Sequence, residues 1–455
     1  MAYGAACMRI VQISASDRIL QSAHRLRREF LRLGHQAVMF VGQRRDEGDP
    51  SVILFHSPRN LVSQVGRHLR YKQIERAFAG YERSQLARQS GFSDDRSPHG
   101  IDALAQLPTA DVINVHSMHR FIDFRGFFGS VPRRIPVVRT LHDMSFFTGG
   151  CHLDEGCGRY AQGCGVCPQL GSTDPQDLSR RSWLRKSAAL EGVEPDRLFI
   201  VTPSRWLAEA ARRSPLLRNF SVTVIPHGVD TEVFRPFDQR LAREVLGVDQ
   251  NARVVLFVAE GIQRPVKRFS HLIQALNGMR GTAGLLLLTA GSGNPGAQIS
   301  IPHQHLGPIR DERLLSLVYS AADVLAIPSL QESFSLVTLE SLACGVPVVG
   351  SAVGGIRELV SDGVTGLLVP PEDVAALRQA IDQLLEDPGR REKMAAECRR
   401  VVLEAYSIRV MAQRYLALYE RILTKAGSHA EPEANQPLQA PQPAGARSPG
   451  TAASL

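Results

Sequence analysis

The apolar residues of this chain fall into short continuous runs separated by stretches with helical spacing. MRIVQIS (8–14) has the length of a buried strand. From Asp17 to Leu33 the residues Ile19, Leu20, Ala23, Leu26, Phe30 and Leu33 share one helical face, and Gly34 then ends it. QAVMFVG predicts a second strand. Strand, helix, strand is the unit of a parallel sheet, because a parallel connection has to cross over and a helix is the usual crossover. Further strands are predicted at DVINVH (111–116), IPVVRTLH (135–142) and LFIVTPS (198–204).

A second series runs through VTVIP (222–226), RVVLFVA (253–259), LLLLTAG (285–291), VLAIPS (324–329) and VPVVGS (346–351). The pattern predicts an α/β protein of two doubly wound, Rossmann-like domains facing across a cleft. Residues 1–215 form the first domain and 216–405 the second, with a hinge near 214–221 where Ser214-Pro215 breaks a helix. An amphipathic helix over 406–426 is expected to pack back on the first domain. Residues 427–455, rich in Pro, Ala, Gln and Ser, have little to bury and are expected to be disordered.

Composition narrows the class. A chain of 455 residues exceeds what one core usually supports, which agrees with two domains. No window approaches the roughly 18 apolar residues of a membrane span, and the N-terminus lacks a signal-like pattern, so a cytoplasmic protein is expected. The net charge of +8 lies in the first half: residues 1–230 hold 31 basic against 22 acidic side chains, and 231–455 hold 22 against 23. Such a half attracts phosphorylated or anionic partners without specificity. Nucleic acid is not expected, since no interleaved aromatic platform or binding motif accompanies the charge.

Neither first strand leads into G-x-G-x-x-G, and no P-loop lysine motif is present, so dehydrogenase and P-loop chemistry are not supported. Ligands of doubly wound sheets bind at the carboxyl ends of the strands, which places the chemistry in the cleft. The most informative segment is IPSLQESFSLVTLESLACGVPVVGSAVGG (327–355), with Glu332 and Glu340 around a predicted helix start near Phe334. An eight-residue separation leaves two side chains roughly 80° apart on an ideal helix, so spacing alone does not pair them. The N–H groups of Ser335 and Leu336 at that start would suit a phosphate.

With this segment, VTPSRWLAEAAR, VIPHGVDTEVFRP and AADVLAIPSLQESF, the chain resembles the retaining glycosyltransferases of GT-B fold, family 4, from residue 8 to about 424. The resemblance implies that Glu332 contacts the donor sugar and Glu340 the ribose hydroxyls of a nucleoside-diphosphate sugar. It also implies that Lys267 binds the phosphates and that His142, in VVRTLHDMSFF, approaches the sugar from the first domain. The family's arginine position is Glu260 here, so Arg264 or Arg268 is expected to take its place. The first loop, ISASDRIL, lacks the family's Gly-Gly; Ser14, Ala15 and Ser16 are small, whereas Asp17 and Arg18 narrow it.

The segment TGGCHLDEGCGRYAQGCGVCPQLGS carries Cys151, Cys157, Cys164 and Cys167. Four thiolates among glycines could close a tetrahedral structural zinc site; free thiols and disulfides are the alternatives. Similar segments occur in a subgroup resembling colanic acid and exopolysaccharide glycosyltransferases. No cofactor is required for the transfer itself, because Lys267 and N–H donors serve the leaving phosphate. In residues 61–88, Val65, Leu69, Ile74, Phe78 and Tyr81 recur at helical intervals among arginines. Core packing is the expected use, and peripheral contact with an anionic membrane the alternative. The expected function is sugar transfer to a saccharide or lipid-linked saccharide acceptor in surface-glycan synthesis. A non-catalytic saccharide-binding or assembly subunit is the competing reading, favoured by Glu260 and the altered first loop.

Overall fold

A computed structural model describes residues 7–17, 21–44, 48–81, 91–279, 281–296 and 299–427. It contains two sheets in which every neighbouring pair of strands is parallel. The first is built from β1 (Arg9–Ser16), β2 (Gln36–Gln43), β3 (Val52–Leu54), β4 (Val112–Val115), β5 (Val137–Thr140), β6 (Leu198–Thr202) and β7 (Ser221–Val224) in the order β3-β2-β1-β4-β5-β6-β7. The second holds β8 (Arg253–Gly261), β9 (Leu285–Ser292), β10 (His303–His305), β11 (Val324–Ile327), β12 (Val348–Ser351) and β13 (Gly366–Val369) in the order β10-β9-β8-β11-β12-β13. Both orders reverse beside their first strand, the point at which doubly wound sheets open a crevice for ligands.

The central strands are continuous apolar runs because helices cover both faces. Val11, Ile13, Ile113 and Ile200 face one side of the first sheet, and Ile10, Val112, Val138 and Val201 the other. The helix Gln21–Arg32 buries Ala23, Leu26 and Phe30 of the predicted face; Ile19 and Leu20 lie outside the described residues.

The segment read as the first strand of the second domain belongs to the first sheet. Val222 pairs with Ile200 and Val224 with Thr202, so the chain passes between the halves after β7 and not at 214–221. The physical reason is that Ser214-Pro215 ends the crossover helix Arg205–Arg213, and a crossover helix must return the chain to a parallel strand before it can leave. The edge strands β3, β10 and β13 have three or four residues each, too short to show a period.

The last helix, Ile408–Gly427, lies on the first sheet, although it follows the second domain in sequence. Met411, Tyr415, Leu418 and Tyr419 pack on Ile10, Leu26, Phe30 and Val138, Asn114 Nδ2 donates to Tyr419 Oη at 2.8 Å, and the Tyr415 and Thr140 hydroxyls meet at 3.0 Å. The predicted disordered stretch from 428 onward lies outside the described residues.

The helix Leu61–Ala79 departs from the core-packing expectation. Ile74, Phe78 and Tyr81 do meet Phe92, Leu170 and Leu178, but Leu61, Val62, Val65 and Leu69 are 50–84% exposed. Residues 82–88 of that prediction lie outside the described residues. Among the described residues no helix is long and apolar enough to cross a membrane.

Replacing Tyr419 by Ala opens a cavity beneath the last helix and is expected to destabilise the fold by about 3–5 kcal/mol, against about 1 kcal/mol for Tyr419→Phe. Urea unfolding of the three proteins checks this, and equal midpoints would contradict the packing role.

Candidate active site

The loop after β11 carries Glu332, and the helix that follows is Leu336–Ala343, two residues later than the predicted start at Phe334. Ser335 is its cap: its hydroxyl accepts from Thr338 N at 3.2 Å, an arrangement that fixes where the helix begins. Ser335 therefore sits just outside the helix, and Leu336 supplies the first helical N–H, which has no acceptor within its own helix. The Glu332 carbonyl accepts from Gly355 N at 3.0 Å. Gly354 at φ +45° makes that approach, and a Cβ there would lie 1.8 Å from the same carbonyl oxygen.

Glu332 and Lys267 meet. Lys267, closing the short turn Pro265–Lys267 after β8, places Nζ 2.5 Å from Glu332 Oε1, and the Ser329 hydroxyl donates to the same oxygen at 3.0 Å. A buried carboxylate and a partly exposed ammonium thus meet close to the start of a helix. Of the two candidate arginines, Arg264 contacts Glu260 at 3.4 Å and Arg268 contacts Glu372 at 2.9 Å.

Glu340 is held from the opposite half. Arg25, on the helix Gln21–Arg32, donates from Nη2 to Glu340 Oε1 at 2.7 Å and from Nε to Glu312 Oε1 at 2.9 Å, while the Tyr319 hydroxyl donates to Glu340 Oε2 at 3.1 Å. Both charges are almost fully buried, and the guanidinium lies over the Phe234 ring at 4.9 Å. Burial pushes the Glu340 carboxyl up and Arg25 pulls it back. A ribose hydroxyl reaching Glu340 would compete with Arg25 for this oxygen.

His142 stands two residues beyond β5 in the floor of the cleft. Its Nε2 is 3.1 Å from His116 Nδ1, and His116 Nε2 is 3.1 Å from the Gln12 amide; its other face stacks on His227 at 4.9 Å. Burial, then the neighbouring His227 and His116, drives its pKa well below the ordinary histidine range. His142 is thus a neutral imidazole whose Nε2 is committed to His116, leaving Nδ1 as its remaining polar atom. Its carbonyl accepts from the Ser333 hydroxyl at 2.6 Å, and the Ser333 carbonyl accepts from Ser204 at 2.7 Å. Gln331 is clasped from the first half as well, donating to Asp154 Oδ1 at 2.7 Å and accepting from Glu155 N at 2.9 Å. Consecutive residues 331–333 therefore bind the first half on either side of Glu332.

β1 continues through Ser16, the Ser14 hydroxyl donates to the Ser16 carbonyl at 2.8 Å, and Asp17 is buried; Arg18 lies outside the described residues. Cys151, Cys157, Cys164 and Cys167 line one small cavity and are free thiols, which sets the disulfide alternative aside. They do not converge on a zinc geometry. Among the described residues the set of three or more His, Cys, Asp or Glu side chains whose donor atoms lie within 4.8 Å of one another is His119, Asp143 and His152. Sulfurs around zinc would stand about 3.8 Å apart given arms of about 2.3 Å.

Sequence reasoning missed Arg25, His116, His227 and Gln331. Arg25 lay on the polar side of an amphipathic helix, where a solvated arginine is the ordinary reading. His227 stood in the phrase VIPHGVD, but only the stacking against His142 gives it a place in the site.

Arg25→Met strands the buried Glu340 carboxylate and is expected to cost about 3–5 kcal/mol, whereas Arg25→Met combined with Glu340→Gln costs less than the single change. Denaturant unfolding measures both, and a double variant less stable than Arg25→Met would contradict the pairing.

Comparison with known proteins adds to this geometry. Residues 252–387 match the family model described as glycosyl transferases group 1. The D-inositol 3-phosphate glycosyltransferase of Kribbella flavida is 41% identical over 191 residues, covering 38% of this chain and 45% of that protein. That of Mycobacterium tuberculosis is 31% identical over 266 residues, covering 55% and 49%. The chain thus spans about half the length of these curated relatives. Among solved structures, sucrose-phosphate synthase from Thermosynechococcus elongatus matches with a TM-score of 0.64 at 20% identity, over 92% of this chain and 100% of that one. Anabaena HepE in complex with UDP and glucose matches with a TM-score of 0.60 at 18% identity, over 91% and 99%. Residues 252–387 thus resemble a group 1 glycosyl transferase domain, and the chain as a whole has the two-domain GT-B fold of these solved structures.

Proposed function

We propose that the chain is a retaining glycosyltransferase that moves a hexosyl or related sugar from a nucleoside-diphosphate donor to a lipid-linked surface saccharide. The observation that carries this reading is the meeting of Lys267 with Glu332 at 2.5 Å beside the first turn of the helix Leu336–Ala343. Sugar transfer without a protein nucleophile demands chiefly that charge on the departing diphosphate be stabilised. Lys267 and the Leu336 N–H are the cation and donor placed for that, so the proposed transfer needs no metal. Glu332 would orient the sugar, and His142 would offer Nδ1 to it from the facing domain. The leaving phosphate would take the acceptor proton, with bond making and breaking on one face of the sugar.

The solved Anabaena HepE holds UDP and glucose, which favours a uridine donor for this chain. The lipid-linked acceptor is favoured by the helix Leu61–Ala79, where exposed Leu61, Val65 and Leu69 recur every four residues beside Arg67, Arg70 and Lys72. Such a helix suits the headgroup layer of an anionic membrane. A second reading, a small phosphorylated polyol as acceptor, is favoured by the names of the curated relatives and by the basic first half.

Incubating the chain with α-linked UDP-, GDP- and ADP-sugars and following the anomeric proton by NMR tests the reaction. One donor should be consumed and yield an α-linked product; a β-linked product would overturn the retaining mechanism. Lys267→Ala should lower kcat/KM by about 10²–10³. Product formed on a lipid-linked saccharide or on an inositol phosphate separates the two acceptors.

A further inference from the structure

Away from Glu332 and Lys267, the first domain gathers His119, Asp143 and His152 at the carboxyl ends of β4 and β5. His119 comes from the loop after β4, Asp143 and His152 from the long loop after β5, and their donor atoms lie within 4.8 Å of one another. We propose that His119, Asp143 and His152 form a binding site for a divalent transition ion of zinc type, with a coordination position left for a ligand from outside the protein.

The geometry is that of a prepared site. His152 Nδ1 stands 3.1 Å from Asp143 Oδ2, close to the edge of a coordination shell with arms of about 2.0–2.2 Å. The atoms behind these donors are already engaged. His152 Nε2 is 2.7 Å from the Ser93 hydroxyl, and Asp143 Oδ1 accepts from Ser145 N at 2.8 Å and from its hydroxyl at 2.5 Å. Metal-bound histidines are commonly held in this way through the ring nitrogen that does not bind the ion. The backbone is pinned as well: His152 N donates to the Gly91 carbonyl at 2.7 Å and Met144 N to the His152 carbonyl at 2.8 Å. His119 lies parallel to His152 at 5.1 Å, with the Ser145 hydroxyl 3.2 Å from its Nε2.

The donor set also selects its ion. Two buried cations stand nearby, but Arg139 donates to the Val115 carbonyl and Lys186 to the Ser145 and Thr148 carbonyls. Their field disfavours a hard ion held by charge alone and leaves one bound through imidazole nitrogen. All three donor residues are partly exposed, so an ion can enter, and three protein ligands leave room for an oxygen of water or of an acceptor.

The test uses the full chain stripped with a chelator and titrated with Co²⁺, whose spectrum separates nitrogen and oxygen ligands from thiolates. The expected result is one Co²⁺ per chain, weak visible bands without intense near-ultraviolet thiolate absorption, and binding weakened more than roughly tenfold in His119→Gln and in His152→Gln. Cys151→Ser and Cys164→Ser should bind as the unaltered chain does. Circular dichroism of the metal-free variants confirms folding, and Asp143→Asn replaces any that does not fold. Absence of saturable binding, or an intense thiolate band that persists in both histidine variants, would overturn the proposal, the latter by placing the ion among the cysteines.

Discussion

A guanidinium buried to 2% exposure has to be paired, and the partners of Arg25 lie on the other half of the molecule. Desolvating an unpaired charge costs several kcal/mol, so the bonds to Glu340 and Glu312 hold the Gln21–Arg32 helix against the helices Leu336–Ala343 and Glu312–Ala321 of the second domain. With that edge of the cleft closed, Ser333 reaches His142 and Ser204, and Gln331 reaches Asp154. One stretch, residues 331–340, is thus anchored from across the cleft at Gln331, Ser333 and Glu340 and presents Glu332 to Lys267 between those anchors.

The two sheets make this convergence possible. In each, parallel strands end on the same side and the order reverses beside the first strand, so loops bearing polar side chains gather at one rim. His142 follows β5 of one sheet and Glu332 follows β11 of the other. The row of His116, His142 and His227, ending on Phe334, joins the rims through ring contacts. Around Glu332 the second half supplies the charged Lys267 and the helix start, whereas the first half brings the imidazoles of His116 and His142 to the rim. This division suits a donor phosphate on one side and a reacting sugar face on the other.

Much of the fold was legible because parallel strands buried on both faces must be apolar runs, and these stand out at residues 8–14, 253–259 and 285–291. The boundary between the halves was misread because Ser221–Val224 is a short, partly buried edge strand whose partner, β6, cannot be inferred from local pattern. Glu332 and Lys267 were legible only through the motif context, since 65 residues separate them in the chain. Arg25 was not legible: 315 residues separate it from Glu340, and a polar residue on an amphipathic helix signals solvent until its partner is seen. The cysteine cluster shows the converse, because suitable spacing placed four thiols around a cavity without bringing their sulfurs to zinc-binding separation.

The central claim is that Lys267, Glu332 and the helix start at Leu336 form a nucleoside-diphosphate site. Calorimetric titration of the chain with UDP, GDP and ADP tests it most directly, with Lys267→Ala as the comparison. The account predicts saturable binding of one diphosphate, at least roughly tenfold weaker in the variant, a loss of about 1.4 kcal/mol or more. Binding of equal strength in both proteins, or no binding of any of the three, would contradict it.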